Sequence, residues 1–115
     1  MEPTPDAPHA PTEADIAEAV ARLVRAFDPL RIDVFGSVAR GTAGPHSDLD
    51  LLVVLGSLDR SEKRAARVHA RRVLAGLGVP VDVLVTSPLE IVQRGWIIGT
   101  TLHEALRESR TVYAP

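Results

Sequence analysis

The chain has 115 residues, of which 45% are hydrophobic, so it is long enough for one compact domain and too short for two. A formal net charge of −2 at pH 7 and a pI near 6.0 exclude a general electrostatic attraction to nucleic acid or anionic membranes. The absence of cysteine excludes disulfides and zinc–thiolate sites. We therefore expect one soluble domain in which any polyanion is bound by a local site.

The amino-terminal region predicts an arm rather than a targeting segment. Residues 1–11 contain four prolines and little that could anchor a core, which indicates a flexible, proline-rich arm before a domain over residues 12–115. They lack the basic start and apolar run of a signal peptide, and no stretch approaches the roughly 20 apolar residues of a membrane span. We expect a cytoplasmic protein with no membrane association. Aromatic residues make up only 3% of the chain, so sequence-specific nucleic-acid binding is not expected either.

The first half of the domain predicts a helix followed by two strands. Thr12 begins a capping box and an apolar stripe continues to Phe27, so a helix should end at Asp28-Pro29. Residues 30–35 alternate between apolar and charged side chains and are followed by a glycine. This pattern predicts a strand with Asp33 facing solvent or pairing with a nearby arginine. A loop over residues 36–47 has room for one short helical turn, and residues 48–55 then read as a strand buried on both faces.

The second half predicts a crossover unit followed by short elements. Asp59 opens a second helix, and residues 79–85 read as a third strand, whose β-branched content suggests a central position. Ser87-Pro88 starts another helical segment, residues 100–108 form the last helix, and residues 111–113 add an edge strand. The order indicates an α/β or α+β fold in which the second and third strands run parallel. The basic face of residues 60–72 is interpreted as a solvated surface or as a dock for an acidic partner.

Three aspartates should meet at one edge of this sheet, the end at which the two parallel strands begin. Asp48 and Asp50 are two residues apart on a strand and therefore point to the same side, and Asp82 lies near the start of the parallel neighbour. Carboxylates this close repel unless a divalent cation lies between them, and hard oxygen ligands select Mg²⁺ or Mn²⁺. Two ions about 4 Å apart can assist an in-line phosphoryl displacement, so these residues are candidate metal ligands and catalytic groups.

Gly36 and Ser37, at the end of the preceding strand, are candidate nucleotide-binding residues. A glycine lets the backbone approach a phosphate closely, and the following N–H groups and the Ser37 hydroxyl can donate to phosphate oxygens. Arg40, one turn further on, could neutralise further phosphate charge.

These segments together resemble a known family. Gly36-Ser37-Val38-Ala39-Arg40-Gly41, Ser47-Asp48-Leu49-Asp50-Leu51-Leu52-Val53 and Val81-Asp82-Val83 resemble the minimal nucleotidyltransferases of the DNA polymerase β superfamily, including antitoxin-like members that act beside HEPN-domain proteins. The resemblance implies a mixed sheet with helices packed on it, and two Mg²⁺ ions held by Asp48, Asp50 and Asp82. It also implies that Gly36 and Ser37 bind the nucleotide, and that NMP is transferred with release of pyrophosphate.

The resemblance leaves the acceptor open. The leading expectation is transfer of AMP from ATP to a hydroxyl of a partner protein, with a small helical HEPN-type protein or a second copy of the chain completing the acceptor site. The chain could instead be a non-catalytic antitoxin that masks its partner. A third alternative is a small-molecule transferase of the aminoglycoside-modifying kind, which generally needs a further substrate-binding domain.

Overall fold

The computed structural model describes residues 8–115, and the sheet and helices follow the predicted order. The elements are α1 (Glu13–Phe27), β1 (Arg31–Phe35), α2 (Gly36–Arg40), β2 (Leu49–Val54), α3 (Arg60–Val73), β3 (Val81–Thr86), α4 (Pro88–Arg94), α5 (Thr101–Arg107) and β4 (Arg110–Tyr113). The predicted fold class, a mixed sheet with helices packed on it, is confirmed.

Capping boxes begin the two longest helices, as their sequences predict. The Thr12 hydroxyl accepts a hydrogen bond from the Asp15 N–H at 3.1 Å, and the Asp15 carboxylate accepts one from the Thr12 N–H at 2.9 Å. Asp59 and Glu62 form the same reciprocal pair at the start of α3, at 2.7 and 3.1 Å. Each box satisfies backbone donors that a helix leaves open, which fixes where α1 and α3 begin.

The four strands form one sheet in the order β3-β2-β1-β4. β2 and β3 are parallel, as predicted, whereas β1 is antiparallel to both β2 and β4. The prediction that the third strand is central was wrong, because β3 lies at an edge of the sheet. Its buried Val83 and Val85 pack against the helical layer on one face, so its β-branched composition reflects coverage of that face and not a strand on each side.

The sheet separates a large core from a small one. On one face the odd-numbered residues of β2 pack with buried residues of α1 and α3, among them Leu49, Leu51 and Leu23. On the other face Leu52 and Val54 pack with Leu102 of α5 and with partly buried side chains from α4 and α5. Since strand residues alternate between faces, Asp50 and Asp82 belong to the second face, at the end where β2 and β3 begin.

Asp33 does not face solvent. Its residue surface is only 1% exposed, because β1 lies between β2 and β4 in the sheet. The carboxylate lies 3.2 Å from the Nε of Arg31 and accepts a hydrogen bond from the Thr111 hydroxyl at 2.9 Å. Solvent exposure was therefore the wrong expectation, and the pairing with a nearby arginine is confirmed. These partners satisfy a buried carboxylate that would otherwise be costly to bury.

Most of the predicted arm lies outside the described residues, which begin at residue 8. Residues 8–11 form no helix or strand, and the His9 ring lies 3.1 Å from the Asp15 carboxylate at the start of α1. Burial acts to raise the pKa of Asp15, but the hydrogen bonds with Thr12 and then the contact with His9 outweigh it, so the pKa is lowered. Within residues 8–115, every helix is too short or too polar to cross a membrane.

Candidate active site

The strand register makes Asp50 and Asp82 direct neighbours. Asp50 of β2 pairs with Asp82 of β3 in the parallel ladder, so their α-carbons are about 4.8 Å apart and their side chains share a face. The backbone N–H of Leu49 donates to the Pro80 carbonyl at 2.8 Å, which fastens the two strands at their first residues. Asp48 immediately precedes β2 and follows the same alternation. The predicted convergence of the acids at one sheet edge is therefore present in the fold.

Burial and neighbouring charges both act on Asp50 at this end of the sheet. Its pKa is raised from 3.8 to about 6, first by burial and then by the neighbouring carboxylates of Asp82 and Asp48. Arg40 opposes the increase through its positive charge. Asp50 is half-buried, while Asp48 and Asp82 are exposed to solvent. The three acids thus form a concentration of negative charge that a single arginine only partly offsets.

The chemistry of these donors fits a divalent cation. Three carboxylates with mutual repulsion favour a hard cation such as Mg²⁺ or Mn²⁺ over softer metals. Within the described part of the chain, however, no group of three or more His, Asp or Glu side chains is already arranged as a set of metal ligands. The backbone therefore brings the acids together at one edge, and the side chains would complete their arrangement around an ion.

Gly36 packs directly against Asp50. It directly follows Phe35, the residue paired with Asp50 across β1 and β2, and it has φ +71°, in the region that favours glycine. A Cβ built at this position would overlap the Asp50 carboxylate oxygen Oδ2. The sequence predicted a glycine that lets phosphate approach the backbone. It did not predict that the same glycine makes room for the Asp50 carboxylate, which only the register of β1 with β2 indicates.

Ser37 lies in the first turn of α2, a helix of five residues between β1 and the following loop. Its carbonyl accepts a hydrogen bond from the Thr42 N–H at 2.9 Å, and Gly41, with φ +77°, closes the turn. Within residues 8–115 the Ser37 hydroxyl makes no hydrogen bond, and the side chain is half-buried. The hydroxyl is thus available to a ligand at the end of β1, in the segment where the sequence predicts phosphate binding.

Arg40 is held by a residue that sequence reasoning did not identify. Its Nη1 donates to the Glu108 carboxylate at 2.9 Å, and both side chains are partly exposed. Glu108 follows α5 and is 68 residues away in sequence, so no local pattern could have connected the two. Arg40 nevertheless remains close enough to Asp50 to lower its pKa. The guanidinium therefore lies beside the acidic edge with one carboxylate already bound.

A cavity of about 280 Å³ adjoins the same edge. It is lined by Pro8, His9, Pro45, His46, Gly78 and Pro80. Two of these segments lead directly into the acid-bearing strands, since His46 is two residues before Asp48 and Pro80 is two residues before Asp82. The cavity is thus a concave surface immediately beside the strand starts.

Comparisons with known proteins identify a family for the sequence and similar folds for the structure. The sequence model of a family described as "Nucleotidyltransferase domain" matches residues 14–110. No curated protein sequence matches the chain. A solved structure described as a nucleotidyltransferase from Sulfolobus solfataricus is 21% identical, with 88% of this chain and 78% of that chain covered and a TM-score of 0.60.

Two further solved structures are similar to the chain. A toxin–antitoxin with AMP-PNP is 19% identical, with 84% of this chain and 72% of that chain covered and a TM-score of 0.54. A structure described as a minimal nucleotidyltransferase is 30% identical, with 84% and 87% of the two chains covered and a TM-score of 0.49.

Proposed function

Because the chain belongs to the nucleotidyltransferase domain family and is a nucleotidyltransferase, we propose that it transfers AMP from ATP to a hydroxyl of a partner protein. The observation that carries this proposal is the pairing of Asp50 with Asp82 in register, with Asp48 beside them. In the reaction the acceptor oxygen bonds to the α-phosphorus, the bond from that phosphorus to the bridging oxygen breaks, and pyrophosphate leaves. The acceptor hydroxyl gives its proton to solvent.

Asp48, Asp50 and Asp82 would hold Mg²⁺ as two ions, and Mn²⁺ suits the same oxygen ligands. When bound, the metal would neutralise charge on the triphosphate and favour the deprotonated form of the attacking hydroxyl. The raised pKa of Asp50, about 6, supports this assignment, because burial and two neighbouring carboxylates disfavour its charge in the protein alone.

The other candidate residues act on the nucleotide. Gly36 allows the Asp50 carboxylate to approach the start of α2, so metal and phosphate would be held side by side. The Ser37 hydroxyl and nearby backbone N–H groups donate to phosphate oxygens. Arg40 would exchange its bond to Glu108 for a phosphate oxygen, a substitution that retains a charge-assisted hydrogen bond.

The choice of ATP and of a protein acceptor is supported by similarity and by size. A toxin–antitoxin of similar fold was solved with AMP-PNP, which supports both an adenine nucleotide and a protein partner. The described residues make one layer of helices on each sheet face and leave little chain for a separate acceptor pocket. A small helical protein of the HEPN type would supply the hydroxyl, and the chain would act as its antitoxin by modifying it.

The test is incubation of the protein with Mg²⁺ and a small helical protein encoded beside it, using ATP labelled in parallel reactions at the α- or γ-phosphate. The proposal requires label from α-labelled ATP, and none from γ-labelled ATP, in the partner. Asp48→Asn and Asp50→Asn should remove the incorporation. If the chain suppresses the activity of the partner without incorporation of label, the chain masks its partner instead. The same conclusion follows if Asp50→Asn suppresses that activity as well as the wild type does.

A further inference from the structure

α3 concentrates positive charge that the active site does not use. It contains six of the chain's 13 Lys and Arg residues and a single carboxylate, that of Glu62, which is engaged in the helix cap. Lys63 is neutralised by Glu90 of α4 at 2.8 Å. The remaining five cations of α3 are arginines that are exposed, and within residues 8–115 none of them forms an ion pair.

Four of these residues form one line, which we call the arginine stripe. Arg60, Arg64, Arg67 and Arg71 follow one another at intervals of four, three and four residues, so they lie on the same side of the helix. Their α-carbons span about 16.5 Å at 1.5 Å per residue. Like charges at this spacing repel and weaken a helix. Interspersed carboxylates would relieve this repulsion, and the stripe contains none, which fits a surface that binds negative charge.

The stripe leads towards the acidic edge of the sheet. α3 connects the far end of β2 to the start of β3, so its last turn lies at the edge where the aspartates meet. Arg71 lines a cavity of about 180 Å³ with Leu74, Val79, Val81 and Val83, at the start of β3. Val81 is the immediate neighbour of Asp82. Within the described residues β3 pairs only with β2, so the stripe runs along an open side of the sheet.

We propose that the arginine stripe docks an acidic helix of the acceptor protein, with Asp or Glu side chains at the same four-three-four spacing. This inference rests on the proposed transfer to a protein and names the surface that recognises it. α3 and the two acids are on opposite faces of the sheet, so a helix docked along α3 would reach the end where β2 and β3 begin, and the acceptor hydroxyl would approach Asp82 around the free side of β3.

An acidic helix fits the stripe better than RNA does. The residues of the arginine stripe repeat at helical intervals, and carboxylates on a second helix can match these intervals one for one. α3 contains no Phe, Trp or Tyr on which a base could stack, and its His69 ring already packs on Phe27 at 5.0 Å between centroids. The chain as a whole carries a net charge of −2, which opposes general binding of nucleic acid.

The test measures fluorescence anisotropy of labelled probes with the full chain. The first probe is a designed helical peptide with glutamates at four-three-four spacing, and the second has the same composition with the glutamates distributed around the helix. The third is a single-stranded RNA of mixed sequence. Arg64→Glu with Arg67→Glu should weaken binding of the first peptide by about tenfold at low salt. The control for net charge is Arg25→Glu, compared with Arg64→Glu alone so that the charge change is the same. Arg25 is an exposed cation of α1 that forms no ion pair in residues 8–115, and its substitution should leave the affinity unchanged.

Equal affinity for the two peptides, preference for RNA, or an equal effect of Arg25→Glu would each overturn the docking assignment. Circular dichroism and the thermal midpoint of the double variant show whether it is folded, and Arg64→Ala with Arg67→Ala replaces it if it is not. Asp50→Asn, which should abolish transfer, is expected to bind the first peptide as the wild type does. Peptide binding without transfer therefore counts against the proposed reaction alone, whereas transfer without peptide binding counts against the stripe alone.

Discussion

Asp50→Asn is expected to stabilise the metal-free protein at neutral and alkaline pH. The folded state raises the pKa of Asp50 from 3.8 to about 6, so ionisation of this side chain costs free energy in the fold. A shift of about 2 units corresponds to roughly 3 kcal/mol at full effect. Because the carboxylate is half-exposed and screened by solvent, we expect about 1–2 kcal/mol. The amide removes this cost because it cannot ionise.

The direction of the pH dependence follows from the raised pKa. The folded state binds the Asp50 proton more tightly than the unfolded chain, so this residue lowers the free energy of unfolding progressively as pH rises from about 4 to 6. Below that window the wild type and Asp50→Asn should differ little. Above pH 7 the difference should be complete and constant. Asp15 and Glu90 have lowered pKa values and act oppositely, so only the difference between the two proteins isolates Asp50.

Urea unfolding in EDTA at several pH values measures this difference. Glu104→Gln provides the control, since it removes an exposed carboxylate from the first turn of α5, away from the three acids. It should not reproduce the pH-dependent gain. Addition of Mg²⁺ should raise the free energy of unfolding of the wild type and not of Asp50→Asn. The electrostatic reasoning would be refuted if the difference in free energy of unfolding between Asp50→Asn and the wild type were the same at pH 5 and at pH 8.

Three other substitutions test the nucleotide side of the site. Ser37→Ala should lower kcat/KM for ATP by roughly ten- to 150-fold, the equivalent of about 1.5–3 kcal/mol for a hydrogen bond to a charged phosphate. Ser37→Asp should lower kcat/KM for ATP more than Ser37→Ala does. If Ser37→Asp were the more active of the two, the serine would not face phosphate. Gly36→Ala should destabilise the fold by about 1–3 kcal/mol and displace Asp50, because its φ is +71° and the new Cβ meets that carboxylate; unchanged unfolding and transfer would contradict this packing. Glu108→Gln should lower KM for ATP by weakening the hold on Arg40, and an unchanged KM would exclude Arg40 from phosphate binding.

The features that the sequence predicted well are those set by local rules. Thr12 and Asp59 were identified as helix starts because a capping residue and an acid three positions later satisfy neighbouring donors. Asp50 and Asp82 could be placed together because alternation and a helical crossover between parallel strands leave little choice of geometry.

The features that the sequence did not predict depend on contacts between distant segments. Nothing near β3 indicates that no strand lies on its outer side, and the burial of Asp33 depends on β4, 78 residues further along the chain. The pairing of Arg40 with Glu108 is of the same kind. Such contacts leave no periodicity in the neighbouring residues, so they become visible only when the sheet order is known.

The sheet order also gives the paired acids unequal mechanical support. Asp50 is on β2, which is hydrogen-bonded on both sides, whereas Asp82 is on β3, which among residues 8–115 is an edge strand bonded to β2 alone. Edge strands open through local fluctuations that cost less free energy than global unfolding, and amide hydrogen exchange reports those openings. The amides of β3 should therefore exchange faster than those of β2. Each such opening releases Asp82 from its neighbour while Asp50 stays in the sheet, so this edge of the active site can come apart while the rest of the domain remains folded.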